Sequence, residues 1–204
     1  MNPQQIKAIL FDLGGVLIEL SGEAHLRSML GENLARDEIW HRWAQSPAVR
    51  AHETGMISSA QFAHNWVIEQ RLDISPDTFI EGFKGWLKAP FPGAQQLLAD
   101  TSAHYTTAIL SNTSAIHWPI IERMNLHNRV HHVVKSYEVG ALKPDRWFYD
   151  CALRQIGITP SEAIFFDDTA VNVAGAQAAG LHAYCVYGAE EARCILEQRG
   201  LLAV

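Results

Sequence analysis

The stretch IKAILFDLGGVLIEL (residues 6–20) decides the fold. Apart from Lys7, its first six residues are apolar, and the run closes on a single acid, Asp12, followed by Leu13, Gly14 and Gly15. A strand that is apolar at nearly every position, rather than at alternate ones, belongs to a sheet covered on both faces. The glycines beyond the acid let the chain turn tightly and bring main-chain groups close to a ligand.

Four further runs share this character: TTAILSN (106–112), HHVVKS (131–136), AIFFDD (163–168) and HAYCVY (182–187). Helical stretches separate them. PGAQQLLADTS (92–102) opens on a Pro-Gly turn, PDRWFYDCALRQIGI (144–158) has Pro144 in its first turn and Gly157 near its end, and VNVAGAQAAG (171–180) stops at Gly180. This alternation predicts right-handed βαβ units and an α/β fold with a doubly wound parallel sheet.

Residues 19–89 follow a different pattern. SGEAHLRSML (21–30), DEIWHRWAQS (37–46), SSAQFAHNWVIEQRL (58–72) and SPDTFIEGFKGWL (75–87) read as amphipathic helices with Ser or Asp near their starts. No strand is expected among them, and KAPFPG (88–93) reads as a return hinge. The expected organisation is an α/β core from 1–18 and 90–204, with a small all-helical subdomain, 19–89, inserted after the first strand. Four of the six tryptophans (Trp40, Trp43, Trp66 and Trp86) fall in the insertion. They are expected first to form its core, and second to line a pocket over the sheet edge.

Composition narrows the function classes. With 204 residues, 48% apolar and 19% charged, the chain is long enough for a large buried core and ordinary for a soluble protein. A formal charge of −6 argues against a general nucleic-acid binder. No run approaches membrane-spanning length, and no signal-like segment opens the sequence. Cys151, Cys185 and Cys194 are scattered, without metal-ligand spacing, and read as reduced thiols of a cytoplasmic protein. The histidines of LHNRVHH (His127, His131, His132) read as a solvated loop rather than a metal site.

In open α/β sheets ligands bind beyond the carboxyl ends of the strands. There the sequence sets Asp12, Ser111-Asn112 and Asp167-Asp168, with Lys143 of GALKPD (140–145) just before a proline-started helix. Taken singly, each is an ordinary cap or turn residue. Together they make a set suited to holding a divalent cation and a phosphate. Asp12 would attack phosphorus and form an aspartyl-phosphate. Mg²⁺ held by Asp12 and Asp168 would relieve the repulsion between two anions. Ser111 and Asn112 would donate to phosphate oxygens, and Lys143 would supply a compact positive charge.

FDLGGVL, LSNTS, ALKPD and FFDDTAVNVAGAQAAG, in that order, resemble the four motifs of the haloacid dehalogenase superfamily in its phosphatase branch, over nearly the whole chain. HETGMISSAQF (52–62) and the helical insertion are similar to the small cap of bacterial sugar-phosphate phosphatases, the α-D-glucose-1-phosphate phosphatase type in particular. The resemblance implies a Mg²⁺-dependent phosphomonoesterase acting on a small phosphorylated metabolite, as a monomer or homodimer, with no nucleic-acid or membrane partner. By position it makes Asp12 nucleophile and metal ligand, adds the Gly14 carbonyl to the metal, and gives the phosphate to Ser111 and Lys143. It sets Asp168 on the metal, with Asp167 and Asn172 acting there through water or as supports. Glu53 is expected to face the site.

One position departs from the pattern. Most phosphatases of this superfamily carry a second acid two residues after the nucleophile, which protonates the leaving oxygen, and here that position is Gly14. General acid–base help is typically worth about 10²–10⁴-fold in rate. Three readings follow: a water, Glu53 or His52 donates the proton; the substrate has a leaving group needing little protonation; or the protein is a weak enzyme or a non-catalytic phosphate binder. A 2-haloacid dehalogenase is a further alternative, against which the acidic pair Asp167-Asp168 speaks, because that chemistry needs no metal.

Overall fold

The computed structural model describes residues 3–31 and 33–203. After a short 3₁₀ turn, β1 (Ala8–Phe11) leads through a loop to β2 (Ile18–Leu20). Five helices follow: α1 (Gly22–Leu30), α2 (Arg36–Gln45), α3 (Pro47–Glu53), α4 (Ser59–Glu69) and α5 (Pro76–Lys84). The chain then returns through β3 (Leu87–Pro90), α6 (Ala94–Ser102), β4 (Thr106–Ser111), α7 (Trp118–Arg123), β5 (His132–Lys135), α8 (Ser136–Val139) and α9 (Arg146–Ile156). It ends with β6 (Ala163–Asp167), α10 (Ala170–Ala178), β7 (His182–Cys185) and α11 (Gly188–Gln198).

The five apolar runs form one parallel sheet in the order β5-β4-β1-β6-β7. Alternate residues of each strand serve different faces. Ile9, Phe11, Ile109, Ile164 and Phe166 pack against Leu97 and Leu98 of α6 and Ala192 and Leu196 of α11. Ala8, Leu10, Ala108, Leu110 and Phe165 pack against Phe148 and Tyr149 of α9 and Ala176 of α10. Burial on both sides explains why these strands read as continuous apolar runs.

The order places β1 at the centre, with β4 on one side and β6 on the other. After β5 the chain crosses back over β1 to begin β6, so strand direction of travel reverses at β1. That is the switch point where open sheets leave a crevice beyond their carboxyl ends. Phe11 is in register with both Ile109 and Phe166, so Asp12 emerges level with the ends of its neighbours.

The five intervening helices share a core of their own, in which Trp43, Trp66 and Trp86 pack with Phe62, Phe79 and Phe83. The starts of α3, α4 and α5 carry serine caps, whereas α1 and α2 begin without a side-chain cap. Ser46 accepts a bond from the Val49 amide, Ser75 from Thr78, and Ser58 forms a reciprocal capping box with Gln61.

Two expectations need correction here. β3 lies inside the stretch read as strand-free and hinge-like, and it pairs antiparallel with β2. The outgoing and returning segments run side by side; Ser21 donates its amide to Trp86 and Phe91 donates to Leu17, at 2.8 and 2.9 Å. Two adjacent backbones with otherwise unpaired polar groups satisfy each other this way, without any apolar alternation to announce it. The helix α3 was also absent from the sequence reading, although Ser46-Pro47 is a cap followed by proline at the first helical position. No helix among the described residues is long and apolar enough to cross a membrane.

Candidate active site

Asp12, the first residue past β1, donates its amide to Phe166 at 2.8 Å, which ties the loop to the end of β6. Its carboxylate meets the Lys143 ammonium at 2.8 Å, and the same ammonium lies 2.6 Å from Asp167. The Lys143 and Asp167 side chains are fully buried. Asp12, Asp167 and Asp168 each offer a carboxylate oxygen within 4.8 Å of one another, with Asp168 the most accessible of the three.

The surroundings fix each group. Asp167 accepts from the Thr169 amide at 2.9 Å and from the Asn172 side chain at 3.1 and 3.3 Å. Asn172 is steadied in turn by the Tyr149 hydroxyl, which donates to its carbonyl at 2.7 Å. The Lys143 ammonium also sits 5.3 Å from the centre of the Phe165 ring. Asn112 was expected on the phosphate, and the structure gives its amide another task. It donates to the Lys143 carbonyl and accepts from the Lys143 amide, both at 2.9 Å. Both ends of that side chain brace the lysine loop. Ser111 closes β4 and is buried at the carboxyl edge beside β1.

Charge at this edge is unbalanced. Three carboxylates face one ammonium. Burial, with Asp167 and Asp168 nearby, pushes the Asp12 carboxyl up to about 8 even though Lys143 pulls the other way. Burial and Asp167 also raise Asp168. Burial alone would lower Lys143, but Asp12 and Asp167 more than offset it and hold its ammonium above the ordinary lysine value.

The two glycines differ. Gly15 has φ +73°, and a side chain there would collide with the Asp168 carboxylate. Gly14 has no such backbone constraint. A Cβ at Gly14 would come within 2.6 Å of Leu20 Cδ1, an exposed and movable side chain. Leu20 thus occupies the space next to the position from which the acid is missing.

Glu53 and His52, both considered as proton donors, part company. His52 is buried, stacked on Phe62 with ring centroids 4.3 Å apart, and its Nε2 lies 3.3 Å from the Ser59 hydroxyl. Burial and His117 depress it to about 4, so it carries no proton to give near neutrality. His52 is therefore set aside as a donor. Glu53, at the end of α3, is partly buried and feels the Lys143 ammonium. Burial raises its carboxyl to about 7, more than the nearby Lys143 ammonium and Trp43 indole can offset.

Comparison with known proteins agrees with this architecture. Residues 6–180 match the family model of the haloacid dehalogenase-like hydrolases. The phosphatase MT3486 of Mycobacterium tuberculosis is 26% identical over 197 residues, 89% of this chain and 87% of the relative. The D-ribitol-5-phosphate phosphatase of Bacteroides thetaiotaomicron is 21% identical over 176 residues, 82% of this chain and 85% of that protein. Among solved structures, the HAD family enzyme bt-2542 of Bacteroides thetaiotaomicron, in complex with magnesium and inorganic phosphate, superposes with a TM-score of 0.70. It is 25% identical, and the match covers 88% of this chain and 93% of that one.

Proposed function

The chain belongs to the haloacid dehalogenase-like hydrolase family, and from that membership we propose that it is a Mg²⁺-dependent phosphomonoesterase that hydrolyses a small phosphorylated metabolite through an aspartyl-phosphate on Asp12. The observation that carries this reading is the trio Asp12, Asp167 and Asp168 gathered around the buried Lys143 ammonium at the switch point of the sheet.

The residues suit the cation. All three acids offer hard oxygen donors, and together with one ammonium they leave two negative charges for a divalent ion to balance. Asp12 and Asp168 would hold it with the Gly14 carbonyl, while Asp167 is largely engaged by Lys143, Thr169 and Asn172. Bound there, Mg²⁺ would neutralise the crowded carboxylates and draw charge from the phosphoryl oxygens.

The chain's own groups divide the remaining work. Lys143 holds one Asp12 oxygen in place and adds positive charge where the phosphoryl group arrives. Asp12 forms the bond to phosphorus as the ester oxygen leaves, and water then releases phosphate and restores the carboxylate. The Ser111 hydroxyl donates to a phosphoryl oxygen from the neighbouring strand end. The activity for which the ribitol phosphate relative is named supports sugar and polyol phosphates as the first substrates to try. The experiment is a panel of such monoesters with Mg²⁺ and with chelator. Phosphate release from at least one, only with Mg²⁺, is expected; release from none would contradict the reading.

A further inference from the structure

We propose that a hollow along α1 receives the leaving group, and that it takes an uncharged sugar or polyol rather than a nucleoside or a second phosphate. The inference rests on the phosphatase reading and deepens it. Leu20, Ser21, Glu23, Ala24, Arg27 and Ser28 line a hollow of about 580 Å³. Small-molecule sites usually measure about 300–1,000 Å³. Gly22 and Leu26 of the same helix turn inward, the first against Trp86, so the lining positions share the opposite face. Leu20 joins the hollow to the carboxylate cluster. Its Cδ1 stands 2.6 Å from the place a Cβ on Gly14 would take, and the next α-carbon, Gly15, faces the Asp168 carboxylate. Leu20 is thus a wall of the hollow and a neighbour of the Asp12 loop at once. A monoester with its phosphorus at Asp12 has to place its ester substituent outside the cluster, and the hollow adjoins the cluster through Leu20.

The lining sets the chemistry. Glu23 meets Arg27 at 2.8 Å and Arg36 at 3.0 Å, and Arg27 also donates to the Leu34 carbonyl. These charged side chains are held in place before any ligand arrives. Glu23 and Arg27 are the charged residues of the lining among the described residues, and they pair, which leaves no net charge to attract a second phosphate or a carboxylate. Ser28 donates its hydroxyl to the His25 carbonyl at 2.8 Å and keeps its lone pairs. Ser21 reaches the Gly85 and Trp86 carbonyls only at 3.4 Å. The two hydroxyl oxygens and the Glu23 carboxylate make a row of acceptors suited to ligand hydroxyls. No aromatic ring lines the hollow among the described residues, so nothing there stacks a nucleobase. A rise of about 1.5 Å per residue sets Ser21 and Ser28 roughly 10 Å apart, a span for a phosphorylated chain of about five or six carbons.

Ala24 and Ser28 are exposed on α1, so a bulky side chain at either fills the hollow and spares the core. Turnover with Mg²⁺ is compared on D-ribitol 5-phosphate, D-glucitol 6-phosphate, uridine 5′-monophosphate and acetyl phosphate, the last with a leaving group too small to need the hollow. Wild type should favour the better polyol phosphate over the nucleotide by about 10-fold or more in kcat/KM. Ala24→Trp should raise KM for that polyol phosphate by about 10-fold or more and keep kcat/KM for acetyl phosphate within about 2-fold. Ser28→Trp should act in the same direction from the far end. With an active wild type, preference for the nucleotide, an unmoved KM in both tryptophan variants, or an equal loss on acetyl phosphate in both would overturn this inference alone. A wild type inactive on all four phosphates would overturn the phosphatase reading and the inference with it.

Discussion

Gly14 and Gly15 are neighbours under different constraints. Gly15 sits in the left-handed region with its α-carbon against Asp168, so Gly15→Ala combines a backbone penalty of about 1–2 kcal/mol with a clash at a candidate metal ligand. Weaker Mg²⁺ binding by calorimetry is the expected result. Gly14→Asp meets only the Leu20 side chain, which can swing away. That variant should fold, at some cost in stability because it adds a carboxylate beside a cluster already short of positive charge. It should also flatten the dependence of turnover on leaving-group pKa. An unfolded Gly14→Asp, or one with an unaltered leaving-group slope, would contradict this account of the missing acid.

At the scale of elements, α3 links the helical core to the sheet edge. Its ion pair, Arg50 with Asp145, is largely exposed and should contribute no more than about 1 kcal/mol. The tighter constraint is Gly55, with φ +73° and the Tyr137 carbonyl against its α-carbon. Gly55→Ala should therefore push α3 off α8 and lower kcat/KM for an alkyl phosphate by about 10-fold or more, the scale of a small misplacement near chemistry. Arg50→Ala should change it much less. Equal effects would show that docking does not depend on this backbone contact. The elements also show what a sequence can and cannot reveal. The five sheet strands were legible because burial on both faces leaves an apolar run, and Asp12 and Asp167 were legible because they interrupt such runs at the end. The β2–β3 pair was not, since its stability lies in backbone bonds between distant segments. Asn112 was seen at the right strand end, but its bonds to the lysine loop were not, because they depend on where Lys143 comes to lie.

For the molecule as a whole, the crowded carboxylates make stability depend on pH and on the cation together. Asp12 and Glu53 have native values raised to about 8 and about 7, from ordinary values of 3.8 and 4.5. The native state therefore binds these protons more tightly than the unfolded chain. Their contribution is full below the ordinary carboxylate range and is lost as pH climbs through 7 and 8. His52, depressed to about 4, works at the other end, costing stability as pH falls below its ordinary 6.5. Without Mg²⁺ the melting temperature should fall between pH 6 and 8.5. With saturating Mg²⁺ the fall should shrink or reverse, because the cation replaces the proton on Asp12. Calorimetry giving parallel curves would argue against a cation at this cluster.

The central claim, that Asp12 is the nucleophile of a Mg²⁺-dependent phosphatase, is tested most directly by hydrolysis of 4-nitrophenyl phosphate by wild type and Asp12→Asn, each with Mg²⁺ and with chelator. Turnover by wild type with Mg²⁺, and background rates in the other three conditions, is the predicted result. An active Asp12→Asn, or wild-type turnover that survives the chelator, would contradict it.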